Sequence, residues 1–154
     1  DASTFAIVSV LISEFDINFG ELAERINLAR GLAIENLKVI SKAIAENTIS
    51  IDGVTACYID YEMSKDLKDD SGLIDGVLSQ LRYSKNTKIC IVIGEVKPKE
   101  YKGSMRCIAG YNVSQIAEEL NGGGHKVAAG FKIAGQENAK QALDVTLKVV
   151  SKYY

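Results

Sequence analysis

Hydrophobic positions fall at helical spacing through the first third of the chain and in short unbroken runs after it. Phe5 to Ile12 is strongly apolar, and Ser3 or Asp1 is placed to cap a helix running to about Ser13. Phe19, Leu22, Ala23, Ile26 and Ala29 predict a second amphipathic helix, and Gly31 marks a break. Ala33, Leu37, Ile40 and Ile44 form the stripe of a third helix ending near Glu46, and Ile51-Asp52-Gly53 reads as a turn.

The pattern changes after Gly53. Val54 to Ile59 is a short apolar run rich in β-formers, which predicts a buried strand. Asp69-Asp70-Ser71-Gly72 is a polar break, and Leu73, Ile74, Val77, Leu78 and Leu81 make the core face of a helix to about Tyr83. Ile89 to Val96 is the strongest strand signal. Lys97 to Gly103 reads as a polar turn and Ser104 to Ala109 as a return strand, giving a hairpin. Val113, Ile116, Ala117 and Leu120 predict a helix, with Asn112 and Gln115 matching a capping box. Phe131 to Ile133 reads as a strand, and Ala139, Leu143, Leu147 and Val150 as the face of a C-terminal helix. The expected fold is α/β: N-terminal helices, then a mixed β-sheet covered by helices. The expected division is residues 1–52, helical, and 53–154, a sheet domain.

Composition narrows the function classes. The 154 residues carry 47% hydrophobic and 25% charged positions and a net charge of −2, so there is no global basic field and any nucleic-acid contact must be local. The apolar N-terminal run is too short to span a bilayer and no basic segment precedes it. A start at Asp1 rather than Met, directly before that run, leads us to expect an excised fragment. Cys57, Cys90 and Cys107 lack a Cys-x-x-Cys spacing, which argues against zinc. Cys57 and Cys90, inside strand-like runs, suit reduced, buried thiols, and the expected location is the cytoplasm. A single histidine and scattered aspartates do not assemble a two-metal site, and no Gly-x-Ser-x-Gly elbow or P-loop is present.

The most informative segment runs from Asn121 to Gly130. Gly122, Gly123 and Gly124 remove every Cβ that would keep a ligand from the backbone, so exposed N–H groups can line an anion. His125, which follows them, adds an imidazole at the edge of that surface. The segment reads as a phosphate site, and the plain alternative is a flexible turn beside a structural histidine. Arg106 is the second candidate. Alternation puts Ser104, Arg106 and Ile108 on one strand face, and an arginine there must stay solvated or paired. A bidentate phosphate contact, a salt bridge or snorkelling would each satisfy it. Lys97, Lys99 and Lys102 read as a solvated hairpin tip, with weak nucleic-acid steering as the alternative, and Tyr101 and Tyr111 as core or rim residues, with base stacking as the alternative.

Gly122-Gly123-Gly124-His125-Lys126-Val127-Ala128-Ala129-Gly130 resembles the Gly-Gly-Gly-His-x-x-Ala-Ala-Gly signature of the C-terminal, DHH-associated domain of the DHH phosphoesterase superfamily. That group includes RecJ-type single-strand exonucleases, nanoRNases that are also pAp phosphatases, cyclic-dinucleotide phosphodiesterases and exopolyphosphatase-related proteins. Gly72 to Arg82 is similar to the helix that opens that domain. Ser104-Met105-Arg106-Cys107 is similar to its Ser-x-Arg-Ser strand, and residues 1–46 resemble the connecting end of the catalytic lobe. The resemblance implies a substrate-binding half acting on nucleotides or short single-stranded oligonucleotides. Arg106 and Ser104 would hold phosphate, Gly122, Gly123 and Gly124 would offer N–H groups, and His125 would contact the phosphate. Manganese would be bound by Asp and His residues of an N-terminal DHH lobe, which is the implied partner. The Asp-His-His motif is missing here, so the implied fragment holds no metal and binds without cleaving. Asn121 and Cys107 stand where the family often has glycine and serine. The alternatives are a stand-alone RNA-binding module and a regulatory or homodimerisation module.

Overall fold

The structure, a computed structural model, describes residues 6–7, 9–10, 13–14, 18–29, 31–67 and 72–154, with 19 and 26–29 as backbone only. The helix expected up to Ser13 and the polar break at Asp69-Asp70-Ser71 lie largely outside the described residues. Packing separates two compact units, residues 1–33 and Ile34–Tyr154. The first contains α1 (Phe19–Ala29), where Asn18 Oδ1 accepts from the Glu21 N–H at 3.2 Å.

The second unit is a six-stranded mixed sheet between two helical layers. It opens with α2 (Ile34–Asn47), which passes without a break into β1 (Thr48–Ile51). β1 turns through Asp52-Gly53 into β2 (Val54–Ile59) and pairs with it antiparallel. Packing thus places α2 and β1 with the sheet. Periodicity alone had ended the helix near Glu46 and shown no strand, because four alternating residues at a sheet edge carry little signal.

A short α3 (Tyr61–Ser64) and α4 (Leu73–Leu81) carry the chain across to β3 (Ile89–Lys97), parallel to β2. Ile89 to Gly94 are all buried, as expected of a central strand covered on both faces. β4 (Glu100–Cys107) returns antiparallel after a tight Pro98-Lys99 turn. The turn is therefore shorter than the pattern suggested: Lys102 and Gly103 belong to the strand, because Tyr101, not Ser104, is the first buried residue of the return.

α5 (Val113–Glu119) is capped by Asn112, whose Oδ1 accepts from the Ser114 N–H at 3.1 Å. It ends in a Schellman motif. Asn121 adopts φ 56°, its N–H donates to Glu118 O, and the Gly122 N–H donates to Ala117 O at 2.7 Å. β5 (Gly123–His125) and β6 (Ala128–Ala134) follow as a hairpin, and α6 (Ala139–Val150) closes the unit. The strand order is β1-β2-β3-β4-β6-β5.

One face of the sheet packs Ile89, Ile91, Ile93, Tyr101, Met105 and Phe131 against Val113, Ile116 and Leu143 of α5 and α6. On the other face α2 and α4 cover β2 and β3, where Cys57 Sγ lies 3.4 Å from Ala43 O. α4 reaches as far as β4, and among the described residues of this unit no helix covers the β4–β6–β5 portion of that face. Among the described residues no helix is long and apolar enough to cross a membrane.

Candidate functional site

The open sheet face is where the sequence candidates meet. Arg106 pairs with Ala128, and Ala128 pairs with His125. Ser104 pairs with Gly130, and Gly130 with Gly123. Directly opposed residues share a face, so Arg106 and His125 project from one side with only the methyl of Ala128 between them. Two strand spacings separate their backbones, about 10 Å, a span that two long polar side chains can close on one tetrahedral anion. The next row, Ser104–Gly130–Gly123, is almost bare of side chains, so an anion there can approach the backbone.

The three glycines do different work. A Cβ on Gly122 would lie 2.2 Å from Gly130 O, and one on Gly124 2.5 Å from Ala128 O. Both are glycine because backbone crowds them. A Cβ on Gly123 meets nothing within 4 Å. The expectation that all three offer N–H groups to an anion is corrected at Gly122, whose N–H is committed to the end of α5. Gly123 and Gly124 lie on an edge strand, where half of the backbone polar groups have no strand partner.

Arg106 is held from its own strand and from α4. Nη1 donates to Ser104 Oγ at 3.1 Å and to Met105 O at 2.9 Å, and Nη2 lies 3.8 Å from Asp75 Oδ1. Asp75 sits in the first turn of α4 and is largely exposed. A cavity of about 190 Å³ opens here, lined by Leu73, Ile74, Asp75, Gly94, Lys102 and Ser104. Gly94 allows the close approach, since a Cβ there would lie 2.8 Å from Ile74. Burial pushes the Cys90 thiol, the β3 neighbour of Arg106, up to about 11. Cys107 faces away from this surface. Its Sγ donates to Lys126 O at 3.3 Å, bracing the turn between β5 and β6, so the residue at this position supports the hairpin and does not reach the open face.

Two side chains of this face, Lys132 and Asp75, were not singled out from sequence, and a third was placed differently. Lys102, read as part of a hairpin tip, pairs with Lys132 across β4 and β6, and both are exposed beside the Ser104 row. Lys132 between Phe131 and Ile133 was the available signal, since alternation turns it away from the core. Asp75 could not be paired with Arg106 without knowing how α4 crosses β4. Tyr101 is core, as expected, with its hydroxyl near Glu95 and Gln136 O. Among the described residues no group of three or more His, Cys, Asp or Glu is placed to hold a metal ion.

A model of the DHHA1 domain family matches residues 52–152, a stretch that contains every site residue named above. The chain belongs to that family. No curated protein matches the sequence significantly. Among solved structures, this DHHA1 chain is similar to an exopolyphosphatase-related protein from Bacteroides fragilis, with a TM-score of 0.83 at 19% identity over 99% of this chain and 44% of that one. It also resembles a pGpG-specific phosphodiesterase from Vibrio cholerae, with a TM-score of 0.50 at 13% identity over 96% of this chain and 51% of that one. At these identities the likeness is one of fold. The DHHA1 chain spans about half the length of each.

Proposed function

We propose that this DHHA1 chain is the substrate-binding C-terminal half of a metal-dependent phosphoesterase acting on nucleotides or short oligonucleotides. The observation that carries this reading is the row Arg106–Ala128–His125 on an open sheet face, with Ser104 and Gly123 in the adjoining row. A guanidinium, an imidazole, a hydroxyl and edge-strand backbone converge there around small residues. That is a donor set for a phosphate ester. Both similar structures carry names that speak of phosphate-bearing compounds, which supports the same reading.

Binding and charge neutralisation are what these residues contribute. Arg106 and His125 hold the phosphate and offset the charge that builds on its oxygens during attack. Ser104 keeps the guanidinium aimed, and the glycine hairpin lets the ligand approach main chain. The described residues offer no donor set for manganese. Activation of a water nucleophile by manganese is the chemistry we assign to a DHH lobe, with residues 1–33 as the connection to it. Within the superfamily, the nanoRNase and pAp-phosphatase branch is the finer assignment we favour, because a net charge of −2 suits a short ligand better than a long polyanion.

Calorimetric titration with adenosine monophosphate tests the proposal. Arg106→Ala and His125→Ala are each expected to weaken binding about 10- to 100-fold, the loss of a charge-assisted hydrogen bond. Arg106→Lys is expected to recover only part of it, because the fork is lost. The chain alone is expected to show no hydrolysis with or without manganese. Titration curves unchanged in both alanine variants would overturn the assignment of the site.

A further inference from the structure

Three consecutive residues beyond α6, Lys152, Tyr153 and Tyr154, each carry a long side chain with a polar tip. Their backbone stays wound after the helix. The Ser151 N–H donates to Leu147 O at 2.9 Å, and the N–H groups of Tyr153 and Tyr154 both donate to Val150 O, at 2.9 and 3.2 Å. All three side chains then reach α5. The Lys152 ammonium and the Tyr153 hydroxyl take one oxygen each of the Glu119 carboxylate, the hydroxyl at 3.0 Å. The Tyr154 hydroxyl accepts from the Asn112 N–H at 2.6 Å, and its ring centre lies 4.9 Å from that of Tyr111. Asn112 and Glu119 mark the two ends of α5, about 10 Å apart at 1.5 Å per residue. The grip therefore spans the whole helix.

The same two helix ends hold the glycine hairpin. At the N-terminus the Val113 N–H donates to Lys126 O at 2.8 Å, one residue after His125. Toward the C-terminus Ala117 O accepts from the Gly122 N–H at 2.7 Å, one residue before β5. Among the described residues β5 is a three-residue edge strand paired with β6 alone, so α5, which packs on it, is its second support. Burial of Val113, Ile116 and Ala117 presses α5 onto the sheet, but apolar contact is non-directional and opposes sliding along the helix axis only weakly. Directed hydrogen bonds at both ends oppose it. A shift of α5 would carry Lys126 O and Gly122 with it and move His125 relative to Arg106. A chance surface ion pair accounts for Lys152 and Glu119 taken alone. It does not account for three adjacent side chains anchored at both ends of the helix that holds the hairpin.

We propose that residues 152–154 form a strap across α5 that sets the glycine hairpin and His125 in register with Arg106, with Tyr154 and Glu119 as its anchoring residues. The inference rests on the proposed phosphate site and adds to it positioning residues that touch no ligand. The strap acts on the fraction of molecules whose hairpin is already in the binding arrangement, and apparent affinity scales with that fraction.

The test uses the whole chain and two readouts. His125 is the sole histidine, so its imidazole signals in an NMR spectrum are unambiguous, and they are followed without ligand together with the Gly123 and Gly124 amide signals. Adenosine monophosphate affinity is measured by calorimetry. The double variant Glu119→Ala/Tyr154→Phe is expected to move those signals and to weaken binding about tenfold, the worth of a few surface hydrogen bonds. Glu119→Gln keeps an acceptor and is expected to recover part of what Glu119→Ala alone loses. Cys57→Ala, in the buried layer under α2, is the control for general destabilisation and is expected to leave both readouts as in the parent. Unmoved signals in the double variant overturn the strap. Moved signals with unchanged affinity overturn its positioning role, as does an equal loss of affinity in Cys57→Ala. Failure of the parent chain to bind adenosine monophosphate overturns the phosphate site, and the ligand-free spectra still decide whether the strap holds the hairpin.

Discussion

The guanidinium of Arg106 lies 3.8 Å from the carboxylate of Asp75, although one residue belongs to a strand and the other to the first turn of a helix. Asp75 is 74% exposed and Arg106 30%, so the pair is loose and solvated. It competes for the group that the proposed phosphate needs. Asp75→Asn is expected to raise phosphate affinity by about 1.4- to fivefold, the range of an exposed ion pair of about 0.2–1 kcal/mol. Stability should stay within about 0.5 kcal/mol. Paired phosphate titrations and urea melts measure both. A fall in affinity would show that Asp75 orients the arginine and does not compete for it.

The glycine hairpin separates packing from binding. Gly122→Ala and Gly124→Ala place a methyl against main-chain atoms that cannot move aside, and Gly124 has φ 148°. Each is expected to cost about 1–3 kcal/mol or more in urea melts. Gly123→Ala faces open space and should leave stability within about 0.5 kcal/mol. Any loss of phosphate affinity in Gly123→Ala is then a local effect at the binding surface. Equal melts for all three variants would show that the hairpin is looser than this packing.

Gly103 and Phe131 pair across β4 and β6, and a Cβ at 103 would lie 2.2 Å from the Phe131 ring. The ring covers the glycine on the buried face. Gly103→Ala is expected to destabilise by about 2 kcal/mol through overpacking. Phe131→Leu in the same chain should return part of that loss, giving a coupling of about 1 kcal/mol in a double-mutant cycle. Strict additivity would argue against the contact.

Burial pushes the Cys57 and Cys90 thiols from 9.0 up to about 11. The unfolded chain loses these protons first as pH rises, so it binds fewer protons than the native state between pH 9 and 11. Their contribution is intact below pH 9 and is lost through that interval, on the order of 2 kcal/mol per thiol. Urea midpoints at pH 8, 9.5 and 10.5 should fall, and the fall should be shallower in Cys57→Ala/Cys90→Ala. Parallel curves would mean that the thiols titrate alike in both states.

Much of the secondary structure was legible because its causes are local. The run Val54 to Ile59 had no alternation and became a strand buried between helices. Asn112 ahead of an apolar stripe became a cap, and the stripe from Ala139 to Val150 became α6. β1 was not legible, since Thr48 to Ile51 gains strand character only by pairing with β2. The start of β4 was missed for a similar reason. Lysines and a glycine read as a turn until Phe131 supplies the ring that fills the space over Gly103.

For the site, the sequence by itself determined the chemistry: an arginine on an outward strand face, and a glycine run ending in the sole histidine. Alternation along β4 was enough to separate Arg106 from Met105. Only the tertiary structure decided that His125 shares the side of Arg106, because side-chain direction between strands depends on register, and a slip of one residue would invert it. Tertiary structure likewise decided that Gly122 spends its N–H on α5 and that the first turn of α4 brings Asp75 beside Arg106. Those are distances between segments far apart in the chain, and local periodicity carries no information about them.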